Sequence, residues 1–207
     1  MIVAIVGTDT DVGKTFVTAA VVRALRARGI EVAARKPVQS FAAADTTTDA
    51  DVLAAASGES PETVCPHDRW IPLAMAPPIA AEQLGNPPFT IADLVSELAV
   101  AERGITIVET VGGVRSPVAA DGDSLALVDD IHPALVVLVA DAGLGTINAV
   151  LLSLAALGPR PVVVFLNRFD PADTVHVSNR AWLRAREDLA TVTDVDDLAA
   201  TLSVLLH

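Results

Sequence analysis

Short, largely apolar runs punctuate the chain at residues 2–6 (IVAIV), 105–109 (ITIVE), 134–140 and 161–166, and residues 31–36 read as a further strand. Runs this brief, with so few polar interruptions, suit strands covered on both faces of a parallel sheet. Between them the apolar positions fall at helical spacing. Val17, Ala20, Val21, Ala24 and Leu25 predict a helix over residues 16–28 that stops near Gly29. A second helix starts beside Asp49 and Asp51, after a loop at residues 41–48. A short one is expected at 78–83, and a longer one runs from the cap Thr90 through Arg103. An apolar helix at 149–157 and a last helix at 196–205 complete the set. Residues 58–78 are rich in proline and lack a clear period, which predicts a long connection with little structure of its own. Alternating strands and helices predict an α/β fold, a doubly wound, mainly parallel sheet, with residues 1–207 forming one domain.

Composition narrows the partners. The formal charge of −12, from 14 basic and 26 acidic residues, repels nucleic acid and anionic lipid over most of the surface. An anionic ligand must therefore be captured by local geometry. The single Cys65 cannot form an internal disulfide, which points to a reducing compartment. The apolar start lacks a basic flank and reads as a strand rather than a signal peptide, and the runs at 134–140 and 149–157 fall short of the ~18 residues that span a bilayer. A cytoplasmic protein with no nucleic-acid or membrane partner is expected.

The chemistry concentrates at residues 7–15, GTDTDVGKT, between the first strand and the first helix. Strand, glycine-bounded loop and helix in this order form a phosphate-binding loop, whose backbone N–H groups and helix N-terminus create an anion site. Gly13 permits close approach of the phosphates, Lys14 can reach the β- and γ-phosphates, and Thr15 offers a hydroxyl to Mg²⁺. Five residues separate Gly7 from Gly13, one more than is usual, and Thr8 stands at the usual glycine position.

Other candidates lie where strands end. Lys36 closes the second strand, at the edge where open α/β sheets bind ligands, and the first two strands of such folds often lie close together. Asp49 is an N-cap or a Mg²⁺ ligand. Glu109, followed by Gly112-Gly113, terminates the third apolar strand as P-loop proteins place an acid near Mg²⁺. Asp121 and Asp123 shape a turn. The stretch GLGTIN at 143–148 is a second glycine-bounded strand-to-helix turn, either a tight turn or an anion site for a group such as a carboxylate. The Asn167 side-chain amide could read a base edge. His67 and Asp68 are sequence neighbours, which suits neither a metal site nor a triad, and carry no assigned role; Ser178-Asn179-Arg180 lies in the closing segment.

Five stretches in order resemble the dethiobiotin synthase family over most of the chain: GTDTDVGKT, KPVQS at 36–40, Glu109 with Gly112-Gly113, LGTIN at 144–148, and Asn167. The long spacing in the phosphate loop is itself a feature of that family. The resemblance implies ATP- and Mg²⁺-dependent ring closure of 7,8-diaminopelargonic acid with CO₂, through a carbamate and a carbamic-phosphoric anhydride. It implies that Thr10, Lys14 and Lys36 surround the carbamate and phosphates. Asp11, Val12, Gly13, Lys14, Thr15, Phe16, Glu109, Gly112 and Asn167 would contact the nucleotide. Thr15, Asp49 and Glu109 would hold the metal, with Asp51 the alternate to Asp49. Lys36, Ser40, Thr146, Ile147 and Asn148 would contact the substrate, the last three across a homodimer interface. The chain departs from the family at Phe41, where glycine is usual, and at Thr110-Val111, which replaces Gly-Ala. A diverged nucleotide-binding paralogue and a ParA/MinD-like switch ATPase share the fold; the switch would require a lysine early in the loop, where Thr8, Asp9 and Thr10 stand.

Overall fold

A computed structural model describes residues 1–187 and 189–205. In chain order the elements are β1 (Ile2–Gly7), α1 (Lys14–Ala27), β2 (Val32–Arg35), β3 (Gln39–Ser40), α2 (Asp49–Ser57), α3 (Pro61–Val64), β4 (Trp70–Ile71), α4 (Pro77–Gln83), α5 (Ile91–Ser96), β5 (Ile105–Gly113), β6 (Pro117–Ala119) and β7 (Gly122–Asp123), then α6 (Ser124–Ile131), β8 (Leu135–Asp141), α7 (Thr146–Leu157), β9 (Val162–Asn167), α8 (Thr174–Glu187), β10 (Thr191–Val192) and α9 (Val195–Val204).

Six strands form a parallel sheet in the order β10-β9-β8-β1-β5-β2. Alternation along β1 sends Val3 and Ile5 into one core and Ala4 and Val6 into the other. The first core takes Val17, Val21 and Leu25 of α1, Leu53 of α2 and Leu198 of α9. The second takes Leu94 of α5, Leu127 of α6, Val150 of α7 and Leu183 of α8. The result is three layers, with every central strand buried on both faces. Helices α1 and α7 follow adjacent strands but pack on opposite faces, so the loops after β1 and β8 diverge at the carboxyl edge, and a crevice opens beside the β1–α1 loop.

Four of the five longer strands lie within a residue of the stretches that predict them, but β5 runs on to Gly113, so Glu109 stands in mid-strand rather than at its end. Four further features differ from the sequence reading. Strand β5 stands between β1 and β2, so the first two strands are not neighbours. Thr90 does cap α5, through a capping box with Asp93, but the helix ends at Ser96 rather than Arg103. Tertiary bonds claim the following residues, because Arg35 donates to Ala99 O and Ala101 N donates to the Thr106 hydroxyl. The long connection holds α3, a 3₁₀ turn at His67–Arg69 and β4, which pairs with β3. Helices α6 and α8 are additions. Asp123 caps α6, and Asp121 accepts from Ile91 N at 2.8 Å, so both acids have structural roles at the β6–β7 turn.

Candidate active site

The loop between β1 and α1 sits at the centre of the sheet. Its last residue, Gly13, has φ 91° and caps α1 without a side chain, leaving the first amides of the helix facing the crevice. A β-carbon at Gly13 would stand 2.1 Å from Asn167 Nδ2, so glycine is required by space as well as by φ. Lys14 folds over the loop and donates to Asp9 O at 3.0 Å. Burial, reinforced by the nearby Lys36 charge, lowers its pKa to about 8.

Around Thr15 the chain gathers groups from three distant segments. The Thr15 hydroxyl lies 2.9 Å from Asp49 Oδ1 and 2.8 Å from Glu109 Oε1, and can donate to only one of them at a time. Lys36 Nζ sits 2.7 Å from both Glu109 Oε1 and Asp49 Oδ2. Glu109 is wholly buried, and Lys36 only 2% exposed. Burial opposes the Lys36 ammonium, but Glu109 and Asp49 outweigh it and hold the pKa above the ordinary lysine value. Burial likewise opposes the Asp49 carboxylate, and Lys36 and Thr15 reverse the balance and lower its pKa.

This cluster suits a hard divalent cation. Glu109 Oε1 and Asp49 Oδ1 meet at the Thr15 hydroxyl and supply oxygen donors there, while the buried Glu109 Oε2 has no partner among the described residues. Among the described residues no group of three or more His, Cys, Asp or Glu converges as a metal cage. Two carboxylates and a hydroxyl fit Mg²⁺, which keeps several waters and shares substrate phosphates.

Local hydrogen bonds decide between the two aspartates. The N-cap of α2 is Thr48, not Asp49, and Asp51 completes a capping box by accepting from Thr48 N and Oγ1, both at 2.8 Å. Asp51 is thereby turned away from Thr15, and Asp49, one position into the helix, reaches it. Gln39 sets this geometry, since its amide donates to the Thr48 hydroxyl and accepts from Ala50 N. Sequence reasoning quoted Gln39 within KPVQS but gave it no role.

A cavity of about 850 Å³ opens beside the cluster, lined by Thr10, Lys14, Thr15, Lys36, Ser40 and Asp49 at its polar end. Phe41, Met75 and Val111 supply apolar wall. Phe41 packs edge-on against Trp70, with ring centroids 6.3 Å apart. Of the two bulky residues after Glu109, Val111 meets the cavity, whereas Thr110 is buried with its hydroxyl donating to Ile5 O. Asp11, Gly13, Phe16 and Gly112 also reach the cavity wall.

Val12 and Glu109 are buried and do not line the cavity, and two further groups of predicted residues lie elsewhere. Asn167 is buried and directs its amide nitrogen onto Val12 O at 2.9 Å, which ties that donor to the phosphate loop. Thr146, Ile147 and Asn148 begin α7 and do not line this cavity. Gly145 caps that helix at φ 94°, and the buried Thr146 hydroxyl has no partner among the described residues. Leu144, just before the cap, and Leu152, further along α7, are 96% and 65% exposed. Among the described residues no helix is long and apolar enough to cross a membrane.

A family model described as an AAA domain matches residues 2–201. The chain is 37% identical over 209 residues to an ATP-dependent dethiobiotin synthetase of Anaeromyxobacter dehalogenans, covering 94% of this chain and 91% of the relative. A Streptomyces coelicolor protein of the same name is 38% identical over 162 residues, covering 77% of this chain and 66% of the relative. Among solved structures, a signal recognition particle receptor FtsY from Elizabethkingia anophelis matches with TM-score 0.55 at 15% identity, over 100% of this chain and 65% of that one. A putative plasmid partition protein from Borrelia burgdorferi, bound to AMPPNP, also gives TM-score 0.55, at 13% identity over 95% and 88% of the two chains. These structural likenesses establish the three-layer P-loop fold.

Proposed function

The chain belongs to the dethiobiotin synthetase family, and from that premise we propose that it uses ATP to close a cyclic urea on 7,8-diaminopelargonic acid with CO₂. The observation that carries this reading is the convergence of Lys14, Lys36, Thr15 and Asp49 on one cavity that continues into an apolar wall, with the buried Glu109 bonded to Lys36 and Thr15 behind them. Phosphoryl transfer requires positioning and charge stabilisation, and the polar end supplies both. The apolar wall suits an alkyl chain.

One amine of the substrate combines with CO₂ to give a carbamate. A carbamate oxygen attacks the γ-phosphorus and ADP leaves. The second amine then attacks the carbonyl carbon of the mixed anhydride, closing the ring and expelling phosphate. Lys14 and the first amides of α1 stabilise charge on the transferring group. Lys36 and Thr10 orient the carbamate. Thr15, Asp49 and Glu109 would hold Mg²⁺, which neutralises phosphate charge when bound. Ser40 contacts the diamine end of the substrate.

The substrate carboxylate is held at Thr146, Ile147 and Asn148 of a second copy of the chain. Support comes from the Thr146 hydroxyl, which has no partner among the described residues, the glycine-capped start of α7, and the exposed Leu144 just before it. The protein is thus a homodimer acting in the cytoplasm.

The test incubates the protein with Mg²⁺, ATP, bicarbonate and 7,8-diaminopelargonic acid, and reads dethiobiotin by mass spectrometry. Phosphate release should require both diamine and CO₂. ATP hydrolysis stimulated by DNA or lipid vesicles, with no response to the diamine, would overturn the assignment in favour of a switch.

A further inference from the structure

Asn167 ends β9, Arg168 follows it in the turn, and both touch the phosphate loop. Asn167 donates to Val12 O, and Arg168 donates through one terminal nitrogen to Asp11 O at 2.9 Å. The loop is bent where they hold it, with φ 58° at Asp11 and 91° at Gly13. Such alternation aligns successive N–H groups towards an anion, provided the carbonyls between them are held away from it. Arg168 itself has φ 56°. Both partners in this contact are therefore non-glycine residues in a region that L-residues seldom adopt. Such conformations persist only where surrounding contacts fix them.

The other terminal nitrogen of Arg168 binds Asp141 Oδ2 at 2.8 Å, at the end of β8. Asp141 Oδ1 accepts from Gly143 N at 2.8 Å. Asn179, buried in α8, donates to Ala142 O and Gly143 O at 3.0 and 2.8 Å and pins the same turn from below. Two residues later Gly145 caps α7. A string of hydrogen bonds thus runs from the phosphate loop, through one ion pair, to the start of α7.

We propose that Arg168 and Asp141 form a positioning clasp. It holds the phosphate loop in its anion-binding shape and fixes the β8–α7 turn that presents the carboxylate site, so one ion pair sets both binding steps. The carboxylate half rests on the reading of Thr146 given above; the phosphate half does not. The pair is half-exposed, with side chains 57% and 47% accessible. Ion pairs so exposed contribute little to folding, and a positioning role can be separated from a stability role.

The experiment uses Arg168→Met, Asp141→Asn and the double variant. It measures affinity for a non-hydrolysable ATP analogue with Mg²⁺, the KM of the diamine at saturating ATP, and Tm. Arg168→Met should weaken the analogue roughly tenfold and raise the diamine KM by a similar factor, with Tm nearly unchanged. The double variant should be no worse than the poorer single variant, because both remove the same contact. Arg168→Lys, which can reach only one partner at a time, should recover part of the loss. Unchanged analogue affinity in both single variants, or strictly additive losses, would overturn the clasp. Weaker analogue binding with an unchanged diamine KM overturns the shared role. Thr146→Val, measured alongside, then locates the error: if it too leaves the diamine KM unchanged, the carboxylate reading has failed.

Discussion

Two adjacent strands, β1 and β8, each end in a turn that leads to a glycine-capped helix, and the two turns have opposite chemistry. Their backbones are close relatives: Gly13 has φ 91° and Gly145 φ 94°, and neither helix has a side-chain cap. Around α1 stand Lys14, Lys36, Asp49 and Glu109. The turn before α7, residues 142–148, reads AGLGTIN and has no charged side chain. A helix N-terminus carries about half a positive charge, which suits a single carboxylate. A triphosphate carries several negative charges and needs fixed cations as well. On the proposed reading both backbones make a generic anion cradle, and the side chains decide which anion each serves.

The largest expected effect falls on the charged cradle. Lys14→Ala should lower turnover on the order of 10³-fold, because the transferring phosphoryl group loses its nearest fixed cation. Stopped-time phosphate assays with saturating ATP measure this, and near-normal turnover would remove the loop from the chemistry. Lys14 also predicts a pH dependence. With its pKa lowered to about 8, it is charged below that value and neutral above it. Nucleotide affinity of the free protein should therefore fall as pH rises through about 8. Fluorescence titration with a nucleotide analogue from pH 7 to 9.5 follows the loss, and a flat profile would show that Lys14 does not meet the phosphates.

Glu109→Gln comes next, with a turnover loss of about 10²-fold and a weaker response to Mg²⁺. This substitution also has a structural cost. Glu109 is fully buried and shares Lys36 with Asp49, so neutralising it strands part of a buried charge. Unfolding in urea should show a loss of about 3 kcal/mol. A change in stability with turnover and Mg²⁺ dependence intact would make Glu109 a structural partner of Lys36 alone.

How legible each cradle is in the sequence follows from how local its parts are. The phosphate loop is contiguous and flanked by a strand and a helix, so GTDTDVGKT exposes it directly. The central strands are legible for a similar reason, since burial on both faces leaves an unbroken apolar run. The cluster at Thr15 draws on residues 34 and 94 positions away, and the hint for Glu109 is an acid closing an apolar run, although the strand itself continues to Gly113. For Asp49 the deciding feature is the capping box of Thr48 with Asp51, which follows from hydrogen-bond geometry rather than residue type. Arg168 meets Asp11 across 157 positions and follows an asparagine that resembles a base reader, so no local pattern marks it. The two-residue β10 and the short α6 leave periods too brief to read.

The uncharged cradle should respond more weakly and more selectively. Thr146→Val removes a hydroxyl while keeping the side-chain shape, so folding should hold. The diamine KM should rise roughly tenfold, the contribution of one hydrogen bond to a charged group, and affinity for the ATP analogue should not change. A loss of analogue affinity would show that the two cradles are not chemically separate.

The smallest effect tests the wall that the charged cradle presents to the substrate. Phe41 stands where the family has glycine, immediately after Ser40, and lines the cavity that holds Lys36 and Thr10. Its ring is not free to swing away, because it packs edge-on against Trp70. Trp70 is fixed in turn by its indole N–H on Cys65 O at 2.8 Å and by the stacked ring of His67. A ring held this firmly offers a preformed apolar surface, and burying one or two methylenes against it contributes about 1 kcal/mol. Phe41→Ala should therefore raise the diamine KM roughly fivefold, leaving turnover at saturating diamine and analogue affinity unchanged. The effect should shrink with a diamine whose alkyl chain is shorter. If the substitution instead lowers the KM, the ring crowds the substrate, and the polar end of the cavity alone accounts for binding.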